Sequence, residues 1–384
     1  MNNRKLRIVY CTPSLYIAGG VERVLTSKAN YLAEQDGAYE VTFILTDGRG
    51  KEPFYPLSDK VKVINLGIDF EELWHASFFR KIIIYLRKQR QYKCMLRKEL
   101  MRLRPDITIS TLRREVNFIT RIPDGSKKIG ELHVNRQNYR NFEANETNLL
   151  KRIFEKWWMR QLVSKLKKLD GFVVLTKEDA RSWGELGNVN VIPDPLLHFP
   201  AVQSPLTEKR MIAAGRYVYQ KGFDLLLQAW QKVEKECPDW RLDVFGMGDR
   251  TPYQQLATDL HLDMERCRLN ESTSDIGKEY LNSSVFVFSS RFEGFGMVLV
   301  EAMSYGLPCV SFACPCGPKD IIDHEKNGLL VPTGDVDLLA AQLIRVAKDA
   351  DLRQSLAVEA VKKAKVYDMN VVGQLWKKLF DELA

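Results

Sequence analysis

The chain has 384 residues, enough for two or three domains that each bury an apolar core. Its 45% hydrophobic and 28% charged residues lie near the averages for globular proteins, which excludes a disordered chain, a collagen-like repeat and a disulfide scaffold. The net charge of +8 is uneven: residues 73–104 carry +9, residues 151–168 carry +6, and the remainder of the chain therefore −7.

The first residues hold a basic cluster but run straight into a strand pattern at 6–12, with neither a long apolar region nor a small-residue cleavage site. A glycine-containing loop follows at 13–20, then a helical period over 21–34, the opening unit of a βαβ fold. Further strands are expected at 41–45, 61–66, 106–110, 128–132 and 171–175, with helices between several of them, so the sheet is mainly parallel. Both basic segments read as helices that interleave charge with apolar residues: Trp74, Phe78, Phe79, Ile82 and Tyr85 in one, Ile153, Phe154, Trp157 and Trp158 in the other. Such a face suits anionic lipid headgroups. It equally suits a solvated helix face over a core, whereas no nucleic-acid motif accompanies it. No apolar run approaches the roughly 18 residues of a membrane span, since residues 82–86 are flanked by Arg80, Lys81 and Arg87.

A proline-rich stretch beginning at Val191-Ile-Pro-Asp-Pro and reaching Pro200 and Pro205 resists helix and sheet and reads as the interdomain linker. The alternation then restarts: strand 210–214, helix 223–235, strand 241–245, helix 253–260, strand 285–289, helix 297–304 and strands at 308–312 and 329–331. The last segment, 371–383, is amphipathic, with Leu375, Trp376, Leu379 and Phe380 on one side. Seven cysteines (Cys11, Cys94, Cys237, Cys267, Cys309, Cys314, Cys316) lack paired C-x-x-C spacing and read as reduced thiols in or beside a core.

Two motifs carry chemistry. Glu293-Gly294-Phe295-Gly296-Met297-Val298-Leu-Val-Glu301 lies where an apolar strand turns into a helix, so its glycines leave backbone amides open to phosphate, with a carboxylate at either end for sugar hydroxyls. Gly215-Arg216-Tyr-Val-Tyr-Gln-Lys221-Gly222 follows another apolar strand and sets a guanidinium and an ammonium at the same sheet edge. Two cations there neutralise a diphosphate and stabilise it as it departs with added charge. Either motif alone is common in structural turns; together they mark a site.

With Gly19-Gly20-Val-Glu-Arg in the first loop, Glu131-Leu-His133 and Ile192-Pro-Asp-Pro, these pieces resemble the family 4 retaining glycosyltransferases of the GT-B fold, of bacterial polysaccharide, capsule or lipopolysaccharide type, through most of the chain. The resemblance implies an α/β fold of two Rossmann-like domains facing a cleft: residues 1–195 bind acceptor, residues 196–370 bind the nucleotide-sugar donor, and a helix at 371–384 packs back on the first domain. It further implies that Arg216 and Lys221 grip the donor diphosphate, that amides from Phe295 through Met297 to Val298 cap it, and that Glu301 holds the ribose. Glu293 would bind hydroxyls of the transferred sugar, Gly19 and Gly20 would approach donor phosphate and acceptor, and His133 would face the donor sugar. Asp194 departs from the family's frequent Asn, and Asn270-Glu271 stands where a glycine usually follows the strand under the nucleobase, which leaves the base open.

The reaction so implied transfers a hexose or N-acetylhexosamine from a nucleotide sugar, UDP ahead of GDP, to a lipid-linked or growing glycan, without cofactor or metal. The expected place is the cytoplasm, peripheral on the inner face of the plasma membrane through 73–104 and 151–168, with no nucleic-acid partner. Gly246-Met-Gly248-Asp-Arg-Thr251 lacks the third glycine of a dinucleotide fingerprint, and no P-loop string is present. Asp335-Val-Asp337 spells a metal-binding Asp-x-Asp but opens a helix, where an N-cap explains it. A phosphorylase or hydrolase on the same scaffold, and an inactive nucleotide- and membrane-binding module, are the rival readings.

Overall fold

A computed structural model describes residues 4–35, 37–75, 78–139 and 149–383. The side chains of Trp74, Phe78, Phe79, Ile153 and Phe154, counted above in the basic segments, lie outside the described residues.

The chain divides into two units. The first comprises Met1–Leu175, Asp179–Pro195 and Val372–Ala384; the second comprises Thr176–Glu178 and Leu196–Val371. Unit 1 is built from β1 (Leu6–Thr12), α1 (Gly20–Glu34), β2 (Tyr39–Leu45), β3 (Lys62–Asn65), α2 (Phe78–Leu103), β4 (Ile107–Ser110), β5 (Lys127–Leu132), α3 (Leu149–Leu166), β6 (Gly171–Val174) and, past the short helix α4 (Lys177–Ser182), β7 (Val189–Val191). Among the described residues its seven strands are all parallel and lie in the order β3-β2-β1-β4-β5-β6-β7. β1 is buried on both faces. Ile8 and Tyr10 belong to the same apolar core as Leu25 and Ala29 of α1, while Val9 and Cys11 belong to a second core with Leu96 and Leu100 of α2. This two-sided burial is why the strand reads as a continuous apolar run rather than an alternation.

Unit 2 repeats the scheme with β8 (Arg210–Ala214), α5 (Phe223–Glu236), β9 (Arg241–Phe245), α6 (Thr251–Asp259), β10 (Cys267–Asn270), α7 (Ile276–Leu281), β11 (Val285–Phe288), α8 (Met297–Ser304), β12 (Cys309–Phe312), α9 (Pro318–Ile321), β13 (Gly328–Val331), α10 (Val336–Lys348) and α11 (Ala350–Ala364). Its parallel sheet runs β10-β9-β8-β11-β12-β13. The last helix, α12 (Met369–Leu383), buries Val372, Trp376, Leu379 and Phe380 in the core of unit 1, a stripe at helical spacing. Two strands escaped the sequence reading. β7 is three residues long and flows into the proline stretch, and β10 is an edge strand with an exposed Arg268.

The strand orders fix where ligands can bind. In each sheet the direction of winding reverses once, between β1 and β4 in unit 1 and between β8 and β11 in unit 2. The loops leaving such a pair part company and open a crevice beyond the carboxyl ends of the strands.

Candidate active site

The two cationic and acidic motifs meet at the reversal of unit 2, because β8 and β11 are neighbours although 70-odd residues apart in sequence. After β8 the chain passes Gly215 and Arg216 into a short turn, Tyr219–Lys221, and Gly222 (φ 62°) caps α5. A Cβ on Gly222 would stand 2.1 Å from the Ser289 carbonyl oxygen, so the loops pack backbone to backbone. The stem of Lys221 lies against Gly215, where a Cβ would sit 3.1 Å from it, and its ammonium reaches Glu293 Oε1 at 2.6 Å. Ser290 Oγ donates to the same oxygen at 2.7 Å, and Gln220 Nε2 to Oε2 at 3.4 Å. Lys221 and Glu293 therefore pair with each other. An ammonium has three protons, so Lys221 keeps donors for an anion.

Arg216 is exposed and makes no ion pair among the described residues. Gly294 lies in the turn, Phe295 is buried against Tyr367 with ring centroids 5.5 Å apart, and Gly296 (φ 98°) is the N-cap of α8. The amides of Met297 and Val298, half-buried, open that helix, and the first-turn amides of a helix have no intrahelical acceptor. Glu301 is half-buried one turn further along. Residues the sequence reading missed hold this loop. Arg291 clasps both oxygens of Asp224, at 2.8 and 2.6 Å, and stacks on the Tyr219 ring. Ser290 and Gln220 were equally missed; their signal was position alone, next to motif residues. Asp335, by contrast, caps α10 through the Leu338 amide at 2.9 Å, as its spacing expects. The cysteines are free, and all but Cys94 are buried.

In unit 1, Gly19 is the N-cap of α1 and Gly20 its first residue, and a Cβ on Gly20 would meet nothing of the chain within 4 Å. A cavity of about 590 Å³ opens beside this loop, beyond the carboxyl ends of β1 and β4. Its polar lining includes Glu22, Asp47, Glu71, Arg113, Arg114 and Asn138. Leu112, on its wall, is held at φ 56°, with its carbonyl accepting from the Tyr139 hydroxyl and its amide donating to Ser110 Oγ. Strained non-glycine residues of this kind are kept where surroundings over-determine them, often at binding sites.

His133 follows β5 directly, and its side chain is only 6% exposed. Its Nε2 lies 3.2 Å from Glu131 Oε1 and its Nδ1 3.3 Å from Asp194 Oδ1. Glu131 is also paired with the buried Lys28 of α1. Burial acts to lower the pKa of His133, but Glu131 and Asp194 outweigh it and raise it to about 9. Burial likewise acts to raise Glu131, yet Lys28 and then His133 bring it down to about 2. Glu131, His133 and Asp194 are near enough to share a cation, but the Lys28 ammonium already supplies positive charge to Glu131.

Two parallel α/β units of this topology make up the GT-B fold, and residues 197–363 match the family model described as Glycosyl transferases group 1, which supports a glycosyltransferase. Over 366 residues the chain is 26% identical to an uncharacterized glycosyltransferase of Haemophilus influenzae, covering 94% of this chain and 96% of that protein. Over 175 residues it is 31% identical to the amylovoran biosynthesis glycosyltransferase AmsD of Erwinia amylovora, covering 45% of this chain and 48% of the relative. Among solved structures, the pneumococcal O-GlcNAc transferase GtfA in complex with UDP and GlcNAc has the same fold, with a TM-score of 0.74 over 99% of both chains at 15% identity.

Proposed function

We propose that the chain is a family 4 retaining glycosyltransferase that moves a hexose or N-acetylhexosamine from a nucleotide sugar, UDP ahead of GDP, to a lipid-linked or growing glycan in cell-surface polysaccharide synthesis. The observation that carries this reading is the 2.6 Å contact between Lys221 and Glu293, which gathers both motifs at the strand-order reversal of unit 2. Lys221 and Arg216 then face the donor diphosphate, the first amides of α8 cap it, and Glu293 and Glu301 accept from sugar and ribose hydroxyls. As the bond from the anomeric carbon to phosphate oxygen breaks, negative charge collects where these donors are fixed. The acceptor hydroxyl attacks the same face and passes its proton to the leaving phosphate, so no protein nucleophile and no metal takes part. The cavity of unit 1 receives the acceptor. UDP stands first because the pneumococcal O-GlcNAc transferase binds it in the same fold.

Thermal unfolding against a panel of UDP-sugars and GDP-sugars tests the donor class. The cognate donor at a hundred times its dissociation constant adds about 2.7 kcal/mol of stability. A panel in which no nucleotide sugar shifts unfolding removes the reading.

The protein acts at the cytoplasmic face of the plasma membrane in this proposal. Among the described residues no helix is long and apolar enough to cross a membrane. The support is the outward face of α2, where Ile82, Ile83 (70% exposed) and Leu86 stand among exposed Arg80, Lys81, Arg87 and Arg90, with Trp157 exposed on α3. Lys88 and Lys165 do not belong to this face. Lys88 donates to the Asp69 carbonyl at 2.9 Å and pairs with Glu72, and Lys165 donates to Asn117 Oδ1 at 2.7 Å. Changing Arg87, Arg90, Lys167 and Lys168 together to Glu removes four attractions of about 1 kcal/mol each, weakening binding to anionic vesicles by about a thousand-fold or more. Co-sedimentation with anionic and with neutral vesicles measures this; undiminished binding of the variant would assign the face another role.

A further inference from the structure

Two carboxylates flank the buried ring of His133. Both ring nitrogens face carboxylates, Nε2 that of Glu131 at 3.2 Å and Nδ1 that of Asp194 at 3.3 Å. Neither nitrogen meets its carboxylate in hydrogen-bond alignment, so the interaction is one of charge: two carboxylates this close to a buried ring favour its doubly protonated form over the neutral one. The cluster is neutral as a whole, with Lys28 and His133 against Glu131 and Asp194. Lys28 is itself fixed, its ammonium 4.2 Å from the centre of the Trp376 ring of α12 and 5.7 Å from that of Tyr10 on β1. Tyr10 is the other titratable group at this place, and burial followed by the charge of Glu131 pushes its phenol up, so it stays neutral.

We infer that Lys28, Glu131 and Asp194 are positioning residues that hold His133 as an imidazolium of fixed orientation, on the reading that His133 faces the transferred sugar. The arrangement has two consequences for that reading. An imidazolium donates and never accepts, so His133 is a fixed positive charge and not a base that could activate water against the donor. Lys28 also lies two turns along the helix that begins at Gly19 and Gly20, so its pairing with Glu131 ties the glycine loop in register with His133. Asp194 is the decisive member. With Asn at this position the ring would meet one carboxylate, and an amide can satisfy either form of the imidazole.

The test is Asp194→Asn, followed by NMR titration of the His133 ring, assigned through His133→Gln, and by pH profiles of kcat and KM with the donor that stabilises the protein. In the native protein the ring stays protonated until about pH 9. In Asp194→Asn its titration moves toward neutral pH. Its kcat then falls about ten-fold relative to the native enzyme near pH 8.5 while matching it near pH 6, with the donor KM little changed. Asp194→Glu restores the flat profile. A His133 ring that titrates near 6.5 in the native protein, or an Asp194→Asn variant with the native ring titration and native kcat profile, overturns the inference. If instead His133→Gln transfers sugar at the native rate, the sugar-facing reading fails, while the ring titration still reports whether the cluster holds the charge.

Discussion

Replacing Lys221 with Ala lowers the rate of sugar transfer by about 10²–10³-fold, the loss expected when one fixed donor is withdrawn from a charge that grows in the transition state. In the proposed reaction the effect falls chiefly on kcat, since a donor diphosphate carries more charge as it leaves than when it is bound, and only the differential part of the interaction accelerates the step. The fold survives because Glu293 keeps its hydrogen bonds from Ser290 at 2.7 Å and Gln220 at 3.4 Å. Lys221→Arg does not restore the rate: a planar guanidinium cannot lie along Gly215, where the lysine stem fits against the backbone, and still direct its donors as the compact ammonium does. The measurement is initial-rate transfer at saturating donor, read both as released nucleotide and as glycosylated acceptor, alongside thermal unfolding. A kcat within two-fold of native in Lys221→Ala would remove Lys221 from the chemistry.

Much of this site was legible in the chain because its residues stand directly after apolar strands. A strand followed by Gly-Arg or by Glu-Gly-Phe-Gly announces a loop at a carboxyl edge, and a parallel sheet puts all such edges on one side. What the sequence withheld were the long-range pairings. Lys221 and Glu293 touch only because β8 and β11 are neighbours, an order set by crossover topology rather than by any local pattern. The link between Lys28 and Glu131 spans 103 residues, and neither the helical pattern around Lys28 nor the strand pattern around Glu131 names its partner. His133 was visible at the end of its strand, whereas the carboxylates on both of its nitrogens were not. In the basic helix the charge count misled in one respect. Lys88 lies on the stripe of Tyr92, Leu96 and Leu100, all buried, so the four-residue spacing already placed it inward.

Replacing Glu131 with Leu destabilises unit 1 by about 3–5 kcal/mol, because the substitution leaves two buried cations, Lys28 and His133, with only Asp194 to face them. For a unit of this size the loss lowers its unfolding midpoint by about 10 °C. The pH dependence has a definite sign on each side. The folded-state pKa of His133, about 9, lies above its ordinary 6.5, so its contribution is complete below about pH 6.5 and disappears as the pH rises through 9. The folded-state pKa of Glu131, about 2, lies below its ordinary 4.5, so its contribution is complete above about pH 4.5 and disappears as the pH falls through 2. The gap in stability between the native protein and Glu131→Leu is therefore widest between about pH 4.5 and 6.5 and narrows toward pH 9 as the His133 share is lost. Calorimetry of both proteins across that range measures it, and a gap that stays constant from pH 5 to pH 9 would mean that His133 carries no proton-linked part of the fold's stability.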